Sequence, residues 1–148
     1  NPNIILAGRS INDNMAKFTV SQIIKKLKSK SINLNSAKIL IMGLTFKENC
    51  NDLRNSGATL VFNELRKYKF KIDVYDPVAD QKDIKKIYKI IPKRKLYPNS
   101  YDGIMILVAH DQFRNMGNNF ISSLGKNASV LYDLKCIFKK EQSDLRLW

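Results

Sequence analysis

One stretch decides the fold of this chain: Ala37-Lys38-Ile39-Leu40-Ile41-Met42, followed directly by Gly43-Leu44-Thr45-Phe46-Lys47-Glu48-Asn49-Cys50-Asn51-Asp52-Leu53-Arg54-Asn55-Ser56. Its first six residues are apolar and partly β-branched, so they predict a buried strand over 37–42 that ends at Gly43. The polar residues that follow predict a loop carrying two cations, Lys47 and Arg54. Ligands of open parallel sheets lie outside the carboxyl ends of the strands, where such a loop presents cations and backbone N–H groups to one anion.

Working outward, strands and helices alternate along the chain. The predicted strands cover 37–42, 71–75, 103–109 and 129–133, with a weak one near 90–91. The predicted helices cover 56–69, 80–89, 120–125 and a long first helix that opens at Ser10, with Asp13 at capping-box spacing, and ends near Ser29–Ser31. The uniformly apolar run at 103–109 is typical of a central parallel strand. This order predicts an α/β fold: a Rossmann-like, doubly wound, mostly parallel sheet preceded by a long helix.

The composition is that of one folded, soluble domain, with 148 residues, 44% of them hydrophobic, and a net charge of +13. The lysines are scattered along the chain instead of forming one tract. We therefore interpret them as solvated helix faces and expect neither a nucleic-acid partner nor a membrane partner. One histidine and two distant cysteines, Cys50 and Cys136, provide no metal cluster and no disulfide framework. We expect both thiols to be reduced, in a cytoplasmic protein.

The chain opens at Asn1-Pro2-Asn3, without an initiator methionine and without the basic and long apolar regions of a signal peptide. No run in the sequence reaches the roughly 18 apolar residues that a membrane span needs. Because the initiator methionine is missing, we expect this chain to be a fragment of a larger protein.

Five segments form an ordered pattern over most of the chain. They are Ile4-Ile5-Leu6-Ala7-Gly8-Arg9 with Ile11-Asn12-Asp13, Gly43-Leu44-Thr45-Phe46-Lys47-Glu48-Asn49-Cys50, Asp52-Leu53-Arg54-Asn55-Ser56, Val74-Tyr75-Asp76-Pro77, and Val108-Ala109-His110. In this pattern the chain resembles the C-terminal, UDP-binding part of the UDP-glucose/GDP-mannose dehydrogenase family. It is most similar there to the bacterial UDP-N-acetylhexosamine 6-dehydrogenases of surface-polysaccharide synthesis.

The resemblance implies a larger enzyme. An N-terminal Rossmann domain binds NAD, a central helix forms much of a homodimer, and a C-terminal domain holds the UDP-sugar. Residues 1–35 would be the end of the central helix and 36–148 the nucleotide-sugar-binding domain. The apolar stripe of residues 11–30 packs either on its own domain or on a partner subunit, and the resemblance favours the partner. The implied reaction oxidises the C6 alcohol to the acid by two hydride transfers, through a cysteine-linked intermediate.

The resemblance also implies roles for four residues. Phe46 and Lys47 correspond to sugar-nucleotide contacts, and Lys135 falls where relatives carry a basic residue on the substrate, in some of them an arginine. Arg54 corresponds to an arginine that reaches the cofactor across the domain interface. The structural alternatives are a core plug for Phe46 and solvated cations for the two lysines. Asp133 either orients Lys135 or caps the following turn.

Other residues near this site have structural interpretations of their own. Arg54 could pair with Asp52 or Glu48 and only order the loop. His110 is interpreted as a structural hydrogen bonder in preference to a ligand contact, and Cys50 as a small buried hydrophobe.

Two features of an NAD-dependent enzyme are missing from this sequence. Gly43 opens a loop without the second and third glycines that let a pyrophosphate approach the backbone. Neither cysteine has the Gly- and Ser-rich surroundings of the family's catalytic cysteine. We therefore expect NAD to be bound mainly by the missing N-terminal domain, and this chain alone to be inactive. The alternative function is a non-catalytic dimerisation or structural module whose basic surface docks a partner.

Overall fold

The computed structural model describes residues 2–147, with their side chains from residue 13 onward. The helices are α1 (Pro2–Ser29), α2 (Gly57–Leu65), α3 (Gln81–Tyr88), α4 (Asp111–Met116) and α5 (Asn118–Ser123), with a short 3-10 helix at Lys140–Gln142. The strands are β1 (Lys38–Met42), β2 (Lys71–Tyr75), β3 (Tyr101–Ile106), β4 (Gly125–Asp133) and β5 (Leu145–Arg146).

The five strands form one sheet in the order β2-β1-β3-β4-β5, and every neighbouring pair is parallel. All six residues of the central strand β3 are buried, as the uniformly apolar run that begins at Gly103 predicted for a central parallel strand. The predicted α/β, Rossmann-like fold is confirmed. Within residues 2–147 the sheet is parallel throughout.

Helices cover both faces of this sheet because the strand side chains alternate. In β1, Ile39 and Ile41 join a core formed with α1, α2 and α3. Leu40 and Met42 join a second core, which α4 and α5 cover. All four side chains are fully buried. The two cores hold the strands in place, so that the carboxyl ends of the strands form one fixed edge of the sheet.

The second half of α1 packs directly on the sheet over Gly103. A Cβ atom at this glycine would lie 3.1 Å from Cδ1 of Ile23, so glycine lets the helix approach the strand. Ile23 and Leu27 are fully buried within this chain. For these two residues, the expectation that the apolar stripe packs on a partner subunit is wrong. Met15 and Phe18, nearer the start of the stripe, remain 41% and 47% exposed.

The first helix begins earlier than its sequence pattern predicted. It starts at Pro2 and not at Ser10, whose side chain lies outside the described residues. The helix ends at Ser29, inside the predicted limits, and Ser31 turns the chain with a φ of 60°.

Three further elements differ clearly from their predicted bounds. The strand predicted over 129–133 begins four residues earlier, at Gly125. The helix predicted over 56–69 ends at Leu65, because the last residues form a turn in which Tyr68 is 48% exposed and not inward-facing. The strand predicted over 103–109 begins two positions earlier, at Tyr101, and ends at Ile106. The chain therefore leaves the sheet sooner than predicted, and its next residues are free to form the site.

The shortest elements were predicted least well. Residues 90–91 form no strand, and the helix predicted over 120–125 corresponds to α5. Helix α4 was missed because Phe113 is its only fully buried side chain, which leaves no helical periodicity to detect. Strand β5 was missed because it has two residues.

Candidate functional site

The chain leaves β1 through a glycine that no other residue can replace without strain. Gly43 has a φ of +95°, and a Cβ atom there would lie 2.7 Å from the Cβ and 2.8 Å from the amide nitrogen of Val108. The segments that follow β1 and β3 therefore pass so close together at Gly43 and Val108 that only glycine fits. Gly43 is also the first residue of the loop that carries the predicted anion-binding residues.

A cavity of about 390 Å³ opens at this carboxyl edge of the sheet, within the size range of small-molecule sites. Its walls come from α1, the loop after β1, the start of α2 and the segments after β3 and β4. Phe46, Lys47 and Lys135 all line it. The structure thus brings together the three predicted substrate-binding residues, which come from two distant parts of the sequence.

The cavity has cationic groups ready for an anion. Lys47 and Lys135 are exposed, and neither takes part in an ion pair within residues 13–147. Gly57 and Ala58, the first residues of α2, also line the cavity, and a helix N-terminus adds partial positive charge. Glu48 is the acidic residue of the lining. Two ammonium groups against one carboxylate leave the cavity net positive.

The sequence analysis missed two parts of this lining. One is the start of α2 at Gly57, whose signal was the helix-capping Ser56 just before it; the Ser56 hydroxyl accepts the N–H of Ala58 at 3.1 Å. The other is α1, which contributes Thr19. No local pattern marks Thr19, because its position depends on how the helix packs on the sheet.

Phe46 stands at the wall of the cavity and does not plug the core. Its side chain is 57% exposed, which excludes the structural alternative weighed for it. Its backbone N–H donates to the carbonyl of Asp52 at 2.7 Å, which closes the loop on itself. The ring is therefore presented to the cavity by a braced backbone.

Arg54 lies outside the cavity. Its guanidinium donates to both carboxylate oxygens of Asp52, at 3.0 and 3.1 Å, so the pairing considered as an alternative is formed. Hydrogen bonds from Arg54 hold the pKa of Asp52 below its usual value. The arginine side chain remains 86% exposed. Its role toward a cofactor stays a prediction.

Asp133 caps the turn that carries Lys135. Its buried carboxylate accepts the N–H groups of Ile137 at 3.0 Å and Phe138 at 2.9 Å, and Cys136 turns the chain with a φ of 55°. Of the two roles weighed for Asp133, the capping role is confirmed. The lysine is placed by the turn.

His110 is completely buried and makes structural hydrogen bonds, as interpreted from the sequence. Its Nε2 lies 3.0 Å from Oδ2 of Asp76 and 3.3 Å from Oγ1 of Thr45. Its Nδ1 accepts the backbone N–H of Asn49 at 3.0 Å. One imidazole therefore joins the loops that follow three strands.

Asp76 is the second centre of this network. Besides His110, its carboxylate accepts the N–H groups of Leu44 at 2.7 Å, Val78 at 2.9 Å and Ala79 at 3.2 Å. Burial pushes the pKa of Asp76 upward, but the hydrogen bonds from His110 and Leu44 outweigh it, and the pKa lies below its ordinary value. The buried side chain is thus an ionised carboxylate at neutral pH.

Two negative observations concern the described residues alone. No three side chains among their His, Cys, Asp and Glu converge as a metal site would require. In the same part of the chain, none of the helices combines the length and apolar character of a membrane span. Cys50 and Cys136 are unpaired thiols of intermediate exposure, so the interpretation of Cys50 as a small buried hydrophobe is wrong as to its burial.

Comparison with known proteins identifies relatives of this chain. The sequence profile of the UDP-glucose/GDP-mannose dehydrogenase family, UDP binding domain, matches residues 40–140. The UDP-N-acetyl-D-glucosamine 6-dehydrogenase of Salmonella typhi is 46% identical over 146 residues, which cover 99% of this chain and 34% of that protein. The enzyme of the same name from Pseudomonas aeruginosa is also 46% identical, over 99% of this chain and 35% of its own length.

A solved structure shares the fold. The UDP-N-acetyl-mannosamine dehydrogenase Cap5O from Staphylococcus aureus superimposes with a TM-score of 0.70 at 22% identity, over 95% of this chain and 31% of that one. The chain thus spans about a third of the length of the proteins that it matches.

Proposed function

Because the chain belongs to the UDP-glucose/GDP-mannose dehydrogenase family, whose UDP-binding domain it matches over residues 40–140, we propose that it is the UDP-sugar-binding C-terminal part of an NAD-dependent UDP-N-acetylhexosamine 6-dehydrogenase. The names of the two bacterial relatives, which cover 99% of the chain, support this substrate class. The complete enzyme would work in the cytoplasm and supply uronic-acid precursors for surface polysaccharide.

The observation that carries the proposal is the convergence of Lys47 and Lys135 on one cavity. A nucleoside diphosphate carries its charge on adjacent phosphates, and ammonium groups bind phosphate oxygens as strong, charge-assisted donors. The start of α2 at Gly57 adds the dipole of a helix N-terminus to the same anion. The cavity is also large enough for a nucleotide portion, at about 390 Å³.

Phe46 complements these cations on the apolar side of the ligand. Its exposed ring lines the same cavity, together with apolar side chains such as Leu107 and Leu134. An aromatic face is suited to stacking on a nucleobase or packing on a sugar. In this arrangement the two lysines hold the diphosphate and Phe46 contacts the base or the sugar.

NAD would be bound by the part of the enzyme that precedes this chain. The loop after β1 has one glycine, Gly43, and Val108 presses against it from the neighbouring segment, which leaves no room for a pyrophosphate on this backbone. The residues present do not fit the cofactor, and no hydride-transfer step is assigned to them. Arg54 would reach that cofactor across the domain interface with its exposed guanidinium.

The proposed domain plan follows the same family. Residues 1–35 would be the end of the central helix and 36–148 the nucleotide-sugar-binding domain. The partners would be the chain's own N-terminal NAD-binding domain and a second subunit. The exposed Met15 and Phe18 on α1 are apolar surface that a homodimer could cover.

Titration of the chain with UDP tests the proposed function. We expect UDP to bind with a Kd of about 0.1–1 mM, weak because only part of the enzyme's site is present, and uridine to bind at least about tenfold more weakly. Calorimetry or NMR measures both. An assay with NAD and a UDP-N-acetylhexosamine should form no NADH.

The same titration distinguishes the proposed UDP-sugar-binding function from the alternative function. A dimerisation or structural module would leave the cavity without a ligand, so a folded chain that ignores several millimolar UDP would favour that alternative. NADH formation by this chain alone would contradict the assignment as a binding domain.

A further inference from the structure

Lys47 is carried by five residues, Thr45 to Asn49, that are anchored at both ends on His110. Thr45 lies 3.3 Å from Nε2 of the histidine, and the N–H of Asn49 lies 3.0 Å from its Nδ1. Between these anchors the side chains of Phe46 and Lys47 are exposed. The histidine is fully buried beneath them and does not line the cavity.

The hydrogen bonds define which nitrogen carries the proton. A backbone N–H can only donate, so the Nδ1 that faces Asn49 is unprotonated. The neutral ring then carries its proton on Nε2 and donates it to the ionised carboxylate of Asp76 at 3.0 Å. Thr45 fits this tautomer: its hydroxyl donates to the carbonyl of Lys47 at 2.9 Å, and its oxygen, 3.3 Å from Nε2, accepts a share of the proton that the ring donates to Asp76.

Asn49 makes a second contact that holds the same loop. It adopts a left-handed conformation with a φ of 60°, which asparagine tolerates better than most residues. Its side-chain oxygen accepts the N–H of Asp111 at 3.0 Å, so it contacts the segment after β3 twice. Contacts to residues 110–111 therefore fix the conformation of the loop.

We propose that His110 is a positioning residue of the nucleotide site: its unprotonated Nδ1 holds the Asn49 amide, and its link through Thr45 holds the Lys47 carbonyl, so that Phe46 and Lys47 face the cavity. This role rests on the proposed function of the cavity. His110 acts through the loop and touches no ligand. Its contribution is preorganisation, which removes the cost of ordering the loop when the diphosphate binds.

Two substitutions separate the two nitrogens of the ring. In His110→Asn, an amide oxygen at the δ position can replace Nδ1 as the acceptor for Asn49. In His110→Gln, an amide nitrogen at the ε position can replace the donor to Asp76, and nothing accepts from Asn49. Both variants lose the edge-on packing of the ring on Phe113, 5.2 Å between centroids, and one hydrogen bond of the network, so both should be thermally less stable than the parent.

UDP affinity then reports positioning separately from stability. We expect His110→Asn to bind UDP within about twofold of the parent chain, and His110→Gln to bind about tenfold more weakly, the effect of one lost hydrogen bond. Equal losses of affinity in the two variants, or unchanged affinity in His110→Gln, would overturn the positioning role.

A measurement without ligand keeps this inference apart from the proposed function. Hydrogen exchange of the Asn49 amide should stay slow in His110→Asn and become fast in His110→Gln. Equal protection of the amide in the two variants would overturn the inference, whether or not the parent chain binds UDP. Failure of the parent chain to bind UDP would count against the proposed function alone. His110 is the only histidine, so a long-range 1H–15N spectrum shows its tautomer directly, and a protonated Nδ1 would also overturn the assignment.

Discussion

Replacing Asp76 with alanine is expected to lower the free energy of unfolding by about 3–5 kcal/mol at pH 7. The carboxylate is 1% exposed and accepts three backbone N–H groups, from Leu44, Val78 and Ala79, together with the His110 ring. Alanine would leave these four donors without this acceptor, and three of them belong to buried residues, Leu44, Ala79 and His110. Urea denaturation followed by circular dichroism measures the loss.

The control is an exposed carboxylate with fewer hydrogen bonds to accept. Asp80 also accepts two backbone N–H groups, at the start of α3, but it is exposed. Asp80→Ala should therefore cost only about 1 kcal/mol. If Asp76→Ala does not fold, Asp76→Asn replaces it, since an amide keeps one acceptor and should cost less. A loss for either Asp76 variant no larger than that of Asp80→Ala would contradict the role of the network.

The same variant has a predicted pH dependence. The pKa of Asp76 in the folded chain lies below its ordinary value, since hydrogen bonds from His110 and Leu44 outweigh the opposing effect of burial. Its contribution to stability is thus fully present above the unfolded-state pKa of about 4 and is lost as the pH falls through the folded-state value. The difference in stability between the parent and Asp76→Ala should narrow in acid. A difference that widens below pH 4 would contradict this sign.

Replacing Lys47 with alanine is expected to weaken UDP binding about 10- to 100-fold, the effect of losing one charge-assisted hydrogen bond to a phosphate. Binding of uridine should change little, because uridine has no diphosphate for the ammonium to hold. The loss should also be smaller at high salt, where the interaction in the parent is screened. Calorimetric titrations of the parent and the variant with both ligands at two salt concentrations give the eight affinities needed.

Arg54→Ala is the control on the same loop. It removes the same charge, but Arg54 lies outside the cavity and is paired with Asp52, so UDP affinity of the chain should be retained. An equal loss of affinity in Lys47→Ala and Arg54→Ala would indicate a general effect of loop charge. Unchanged affinity in Lys47→Ala would mean that the lysine is a solvated cation, the structural alternative weighed for it.

The fold could be predicted from local pattern where that pattern was strong. The apolar run 37–42 and its exit through Gly43 predicted β1 and the edge at which the site lies. Helix α4 could not be predicted, since its contact with the sheet depends on Phe113 alone. Side-chain orientation near a helix end could not be predicted either: Ile87, in the last turn of α3, is apolar and yet 46% exposed.

The candidate site was predicted in part, for a related reason. Ligands gather at the carboxyl ends of parallel strands, so Lys47 could be placed at this edge from the local pattern, whereas Lys135 was placed there by the family resemblance. Thr19 and Gly57 could not, because the packing of α1 and α2 on the sheet brings them to the cavity. The buried pair of Asp76 and His110 was recognised as two motif residues, but their contact depends on the sheet order.

A crystal structure of the chain with UDP tests the central claim most directly. We predict the diphosphate in the cavity at the carboxyl edge of the sheet, with a phosphate oxygen within about 3.2 Å of Nζ of both Lys47 and Lys135. An empty cavity at saturating UDP, or a nucleotide bound elsewhere with both lysines in solvent, would contradict the account.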